Sequence, residues 1–144
     1  RDPHESVFHC LQAILDHIDD PALTAALVVR FEIQLLTELG FGLDLSSCAA
    51  TGDEEDLSYV SPKSGRAVSR EAGEPWHDRL LRLPSFVMEQ PDPTAPSAAD
   101  VADGFALTGF FFARYVLEPR GLSFADAREG FVAAVLGRRG PSAA

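Results

Sequence analysis

Apolar residues fall at helical spacing over most of the first forty positions. Phe8, Leu11, Leu15 and Ile18 make one row, with Val7 and Ile14 beside it. Leu27, Phe31, Leu35 and Leu39 make a second row, flanked by Val28 and Leu36, while Arg30, Gln34 and Thr37 fall on the opposite side. Each row follows a helix start. Asp2-Pro3-His4-Glu5 supplies an N-cap acid, a proline at the first helical position and a glutamate in the first turn. Asp20-Pro21 repeats the first two parts. Gly40 stands where a glycine ends a helix. The spacing predicts two helices, the second ending near Leu39, joined tightly enough to be antiparallel neighbours.

The period weakens between Asp44 and Gly73. Leu57-Ser58-Tyr59-Val60-Ser61 reads as a strand, Pro62-Lys63-Ser64-Gly65 as a turn, and Arg66-Ala67-Val68-Ser69 as the returning strand. Glu74-Pro75 predicts a short helix through Trp76, Leu80 and Leu81, broken at Leu83-Pro84, after which Pro84 starts a turn carrying Phe86 and Val87. The three prolines of Gln90–Pro96 mark an exposed connector.

Ser97 with Asp100 opens the most apolar helix. Val101, Phe105, Thr108, Phe112 and Tyr115 form one stripe. Ala98, Ala102, Ala106, Gly109 and Ala113 form another of small residues only, which predicts close approach of a neighbouring helix. Glu118-Pro119-Arg120-Gly121 stops this helix. Ser123 with Asp126 starts a last one with Phe124, Ala127, Phe131, Ala134 and Val135 inward, and the end from Gly137 reads as frayed. The expected fold is mainly α: a helical bundle with an inserted small β-hairpin over about residues 44–73, residues 1–144 forming one domain.

Charge narrows the function. The chain of 144 residues carries 22 acidic and 12 basic side chains, net −10. Affinity for nucleic-acid phosphates comes from cations, so this balance excludes broad nonspecific DNA binding, and any anion-binding surface is local. Arg79 and Arg82 flank Leu80 and Leu81; Lys63, Arg66 and Arg70 surround the hairpin; Arg114, Arg120, Arg128, Arg138 and Arg139 lie toward the end. Two cysteines, Cys10 and Cys48, make no disulfide framework and point to a reducing cytosol. No apolar run is long enough for a membrane span, and no signal peptide is visible. The first residue is Arg1, so the chain reads as a fragment whose N-terminal part is absent.

The spacing around the hairpin is that of a zinc knuckle with its ligands gone. Cys48 and Thr51 stand three apart before it, and Ser69 and Ala72 three apart after it. Four cysteines at these places would make a tetrathiolate site; one thiolate cannot hold structural zinc. Cys48 then reads as a small buried apolar residue. His9 and Cys10 are adjacent on a helix and point about 100° apart, which argues against a dyad. His77-Asp78 could orient an imidazole, but no nucleophile, phosphate-loop or dinucleotide motif accompanies it. The expectation is no enzyme and no cofactor.

Several segments together resemble one family. Arg30-Phe31-Glu32, Leu35-Leu36, Leu39-Gly40, Asp44-Leu45, Cys48-Ala49 and Gly52 resemble the second half of the bacterial RecO family. So do Tyr59 to Ser69, Asp78-Arg79-Leu80-Leu81 with Leu83-Pro84 and Phe86, and the late run Thr108-Gly109-Phe110-Phe111, Arg114, Val116, Pro119-Arg120-Gly121, Ala127-Arg128. No single motif is diagnostic, but order and spacing cover nearly the whole chain. The resemblance implies a helical C-terminal region with an embedded knuckle-like hairpin, behind an N-terminal OB-fold that is absent here. It implies a non-catalytic recombination mediator of the bacterial cytoplasm and nucleoid, which with RecR loads RecA on single-stranded DNA coated by single-stranded-DNA-binding protein and anneals complementary strands. The main strand contact would lie in the absent OB-fold. The helical region would take the acidic, phenylalanine-ended tail of single-stranded-DNA-binding protein, with Arg30, Leu27 and Phe31 as the candidate acceptor and Arg79 and Arg114 as further cations. Some relatives bind zinc through four cysteines; this chain keeps only Cys48, so metal binding is not carried over. Two alternatives stand beside this reading: a free-standing helical interaction domain unrelated to repair, and an enzyme using His77 and Asp78.

Overall fold

A computed structural model describes residues 9, 12, 14–16, 18–88, 96–123, 128, 129 and 132. The cap signals at residues 2–5, most of the connector at 90–96, the start of the last helix at 124–127 and the end from 137 lie outside the described residues. Of the first apolar row, Leu15 and Ile18 are more than half exposed, so the inward face expected there is not theirs.

Helix α1 runs Pro21–Glu38. The Asp20 carboxylate accepts the Leu23 N–H at 3.2 Å and Pro21 opens the first turn, as the sequence predicts. At the other end Gly40 N–H donates to the Thr37 carbonyl and Phe41 N–H to the Leu36 carbonyl, at 3.1 and 2.8 Å. These paired bonds need a left-handed residue, and Gly40 has φ +92°. The buried face differs in phase from the predicted row. Ala22, Ala25, Val29, Glu32 and Leu36 are buried; of the predicted row Leu27 is buried, Phe31 and Leu35 are half-buried, and Leu39 is 48% exposed. Packing against two other elements rotates the helix so that the four-residue row becomes its flank.

Strands β1 (Leu57–Val60) and β2 (Ala67–Ser69) pair antiparallel. The preceding segment lies along β2, where Asp44 bridges Arg66 and Ala49 N–H donates to the Ala67 carbonyl. One turn of helix, α2 (Arg70–Gly73), leads into a 3-10 segment, Glu74–Arg79. The predicted helix through Leu81 does not form. Leu80 is extended and Leu81–Arg82 is strand β3 on the free edge of β1, giving a three-stranded sheet in the order β2-β1-β3. Pro84 disfavours helix at the residue before it, and the open edge of β1 offers backbone partners instead. Trp76, on the 3-10 segment, is 56% exposed. Helix α3 (Ser85–Met88) follows, carrying Phe86 and Val87 as predicted.

Helix α4 runs Ala98–Phe111, with the Ser97 hydroxyl accepting Asp100 N–H at 3.0 Å. It continues as a π-helical turn over Phe112–Leu117 and a 3-10 turn over Glu118–Arg120. Of the predicted stripe, Val101, Phe105, Thr108 and Phe112 are buried, and Tyr115 is half-buried. The small-residue stripe is not the packing face: Ala106 is exposed, and Ala98, Ala102, Gly109 and Ala113 are only half-buried. Close approach to α1 occurs instead at Gly104, which is buried against Val29 and Phe86. Leu36, Val60, Leu83, Leu107 and Phe111 form the main core between α1, the sheet and α4. Each buried side chain of this size contributes about 1.5–3 kcal/mol. Ala25, Val29, Val101 and Phe105 extend it, with Val132 against them.

Candidate functional site

The tail-binding candidates on α1 are held in place by their neighbours. Arg30 is half-buried, and its Nη1 donates to the carbonyls of Phe86 and Val87 at 2.6 and 3.3 Å. These carbonyls lie in the four-residue α3, where a cation complements the backbone dipoles. Arg30 thus clamps α1 to α3. Leu27 is buried at 6% exposure and Phe31 is half-buried. Arg79, exposed on the 3-10 segment, lies over the Trp76 ring at 5.9 Å. Arg114 is exposed on the π-helical turn. The structure keeps Arg30, Leu27 and Phe31 on one helix and sets Arg79 and Arg114 on two other elements.

The four knuckle positions do come together. Cys48 is 1% exposed and packs with Tyr59 and Val68. Its sulfur accepts N–H bonds from Ser69 at 3.2 Å and Ala50 at 3.4 Å. Across the hairpin, Ser69 Oγ accepts the Ala72 N–H at 3.2 Å. Burial pushes the Cys48 thiol up, but hydrogen bonds from the Thr51 hydroxyl and from the Ser69, Thr51 and Ala50 backbone outweigh it and bring it from 9.0 to about 6. The thiolate is therefore the form these donors favour. The donor set does not fit zinc: one sulfur, two hydroxyls and a methyl occupy the four places, where a structural site needs thiolates or imidazoles. No group of three or more His, Cys, Asp or Glu suited to a metal occurs among the described residues.

This thiol has a pH signature. Its folded value lies below its unfolded one, so its contribution to stability is complete above about pH 9 and lost as pH falls toward 6. In urea unfolding, the gap between wild type and Cys48→Ala widens from pH 6 to pH 9. A gap constant across that range contradicts a native thiolate.

A buried polar cluster joins three elements, and no sequence motif announces it. Arg128 Nε and Nη2 donate to the two Glu32 carboxylate oxygens at 2.7 and 2.9 Å. The Thr108 hydroxyl donates to Glu32 Oε1 at 2.7 Å, and the guanidinium lies 5.5 Å from the centre of the Phe105 ring. The signal for it lies in the row Ala25, Val29, Glu32, Leu36: an acid on an otherwise apolar face needs a partner.

Depressions on the surface of the described residues include the following two. One of about 180 Å³ is lined by Phe41, Leu43, Phe111 and Tyr115, with Lys63 among the lining residues. The other, about 380 Å³, has Leu83 and Pro84 among its walls and mixed charge from Arg70, Arg82, Asp56, Asp100 and Asp103. Burial pushes the Asp103 carboxyl up, against the pull of Arg82. No described helix is long and apolar enough to cross a membrane.

Comparison with known proteins fixes the lineage. The chain is 59% identical over 135 residues to the DNA repair protein RecO of Bradyrhizobium sp. (strain ORS 278), covering 94% of this chain and 54% of the relative. It is 57% identical over 136 residues to the DNA repair protein RecO of Afipia carboxidovorans, covering 94% and 55%. The chain thus spans about half the length of the curated relatives it matches. No solved structure matches it significantly. The family profile described as "Recombination protein O C terminal" matches residues 1–123, and the chain belongs to that family.

Proposed function

We propose that this chain is a non-catalytic docking module of a bacterial DNA repair and recombination mediator, acting in the cytoplasm at the nucleoid. The observation that carries this reading is the family match over residues 1–123 together with 59% identity to a DNA repair protein. In it, residues 1–144 form one helical domain with a hairpin subdomain over about 44–73, and RecR is a partner in loading RecA on single-stranded DNA. The strand itself is held mainly by an OB-fold outside this chain, which agrees with the net charge of −10. The module takes the acidic, phenylalanine-ended tail of single-stranded-DNA-binding protein. Arg30 supplies a positive charge already oriented by α3, Phe31 an apolar wall, Leu27 the floor, and Arg79 and Arg114 further cations.

A fluorescent acidic peptide ending in Phe tests this by anisotropy. Wild type binds, and Arg30→Ala weakens binding by about tenfold or more, the loss of one charge-assisted hydrogen bond set. A second placement is favoured by the aromatic depression with Lys63 in its lining. If Lys63→Ala weakens binding and Arg30→Ala does not, the tail sits there. If wild type does not bind the peptide, tail docking is wrong.

A further inference from the structure

We infer that in this chain the Cys48 sulfur has replaced a metal ion as the cross-link of the knuckle, tying the Cys48–Thr51 turn to the Ser69–Ala72 turn through hydrogen bonds, while the four positions keep a ligand-cage arrangement.

The two turns share one pattern. In the first, the Cys48 sulfur accepts the N–H of Ala50 and, three residues on, that of Thr51, and the Gly52 N–H closes the turn on the Cys48 carbonyl at 2.9 Å. In the second, Ser69 Oγ stands where a ligand sulfur would and accepts the N–H of Ala72. Backbone N–H groups directed at the first ligand atom of each turn are what a metal knuckle uses to stabilise its thiolates. Here the turns meet sulfur to backbone, through Ser69 N–H at 3.2 Å.

The replacement is physically coherent. A short hairpin alone is marginal in water, and a knuckle normally depends on zinc for its folding free energy. In this chain that dependence is met by burial and by donors converging on one sulfur. Tyr59 and Val68 are buried beside it, with Leu57, Ala72 and Leu80 packed around. The pairing of β3 with β1 adds a third strand. Several donors converging on one sulfur stabilise its charged form without an adjacent cation.

Two experiments on the full 144-residue chain test this. First, Thr51→Cys, Ser69→Cys and Ala72→Cys are combined, and the reduced protein is titrated with Co²⁺. One equivalent binds, with the intense sulfur-to-cobalt charge-transfer and visible bands of a tetrahedral thiolate site; wild type shows neither. Second, amide hydrogen exchange is followed in Cys48→Ala. The Ser69 and Ala50 amides exchange about fivefold faster or more, as loss of one hydrogen bond implies, while α1 amides keep their rates. Stoichiometric zinc in purified wild type overturns the inference. So does a folded triple variant that takes no cobalt, or unchanged Ser69 and Ala50 exchange in Cys48→Ala. If the triple variant fails to fold with and without cobalt, the exchange rates of Ser69 and Ala50 decide alone, faster exchange supporting the cross-link and unchanged exchange refuting it.

Discussion

Arg128→Met lowers the unfolding free energy by about 3–5 kcal/mol, the range for leaving a buried charge without its partner. The Glu32 side chain is 11% exposed and that of Arg128 19%, and two parallel bonds of 2.7 and 2.9 Å join them. With Arg128 gone, the Thr108 hydroxyl is left to hold the carboxylate. The same change removes the cation over Phe105. For a chain of this size the loss moves the melting midpoint by about 10 °C. Removing both partners is different. Glu32→Leu with Arg128→Met leaves no orphaned charge, so the double variant recovers most of the loss. Urea unfolding of the two single variants and the double gives the coupling energy directly. A loss under about 1 kcal/mol in Arg128→Met would mark the pair as solvated, like an ordinary surface bridge.

That cluster also shows what a sequence conceals. Helix ends are legible because their determinants are local: Asp20, Ser97 and Gly40 each act within four residues, and each performs the role its position predicts. The knuckle positions are legible because their spacing is rigid, and Cys48, Thr51, Ser69 and Ala72 do meet. The features that differ from expectation all depend on distant partners. The phase of α1 is set by helices contributed from far along the chain, and the Glu32 to Arg128 bond spans 96 positions. Strand β3 is two residues long, too short for any alternation to show, and forms because β1 has an edge to fill. The family resemblance is what points to Arg30, Leu27 and Phe31 on α1 as tail candidates. Sequence pattern does not show that Arg30 already donates to α3 carbonyls, because that contact crosses 56 positions.

The small-residue stripe misleads for the same reason, and its correction yields the second large effect. Adding a Cβ at Gly104 places it 2.9 Å from Phe86 Cζ and 3.1 Å from both Val29 methyls. Val29 is fully buried, so it cannot turn aside without disturbing Val101 and Phe105. Two effects oppose each other in Gly104→Ala. Helix propensity favours alanine by about 1 kcal/mol. Overpacking in a dense core costs about 1–3 kcal/mol, and more when no flexible neighbour can yield. Here the neighbours are a β-branched side chain and a ring, both stiff, so the steric effect wins and the variant is less stable by about 1–2 kcal/mol. The sign reverses when room is made. In a Val29→Ala background both close methyls are absent, and Gly104→Ala then stabilises by up to about 1 kcal/mol through propensity alone. The cycle therefore shows a coupling of about 2 kcal/mol between α1 and α4. Additive effects would mean the two helices do not meet at this glycine. Coupling confined to Gly104 and absent from a parallel cycle at Ala106 identifies the glycine, rather than the alanine stripe, as the point of closest approach.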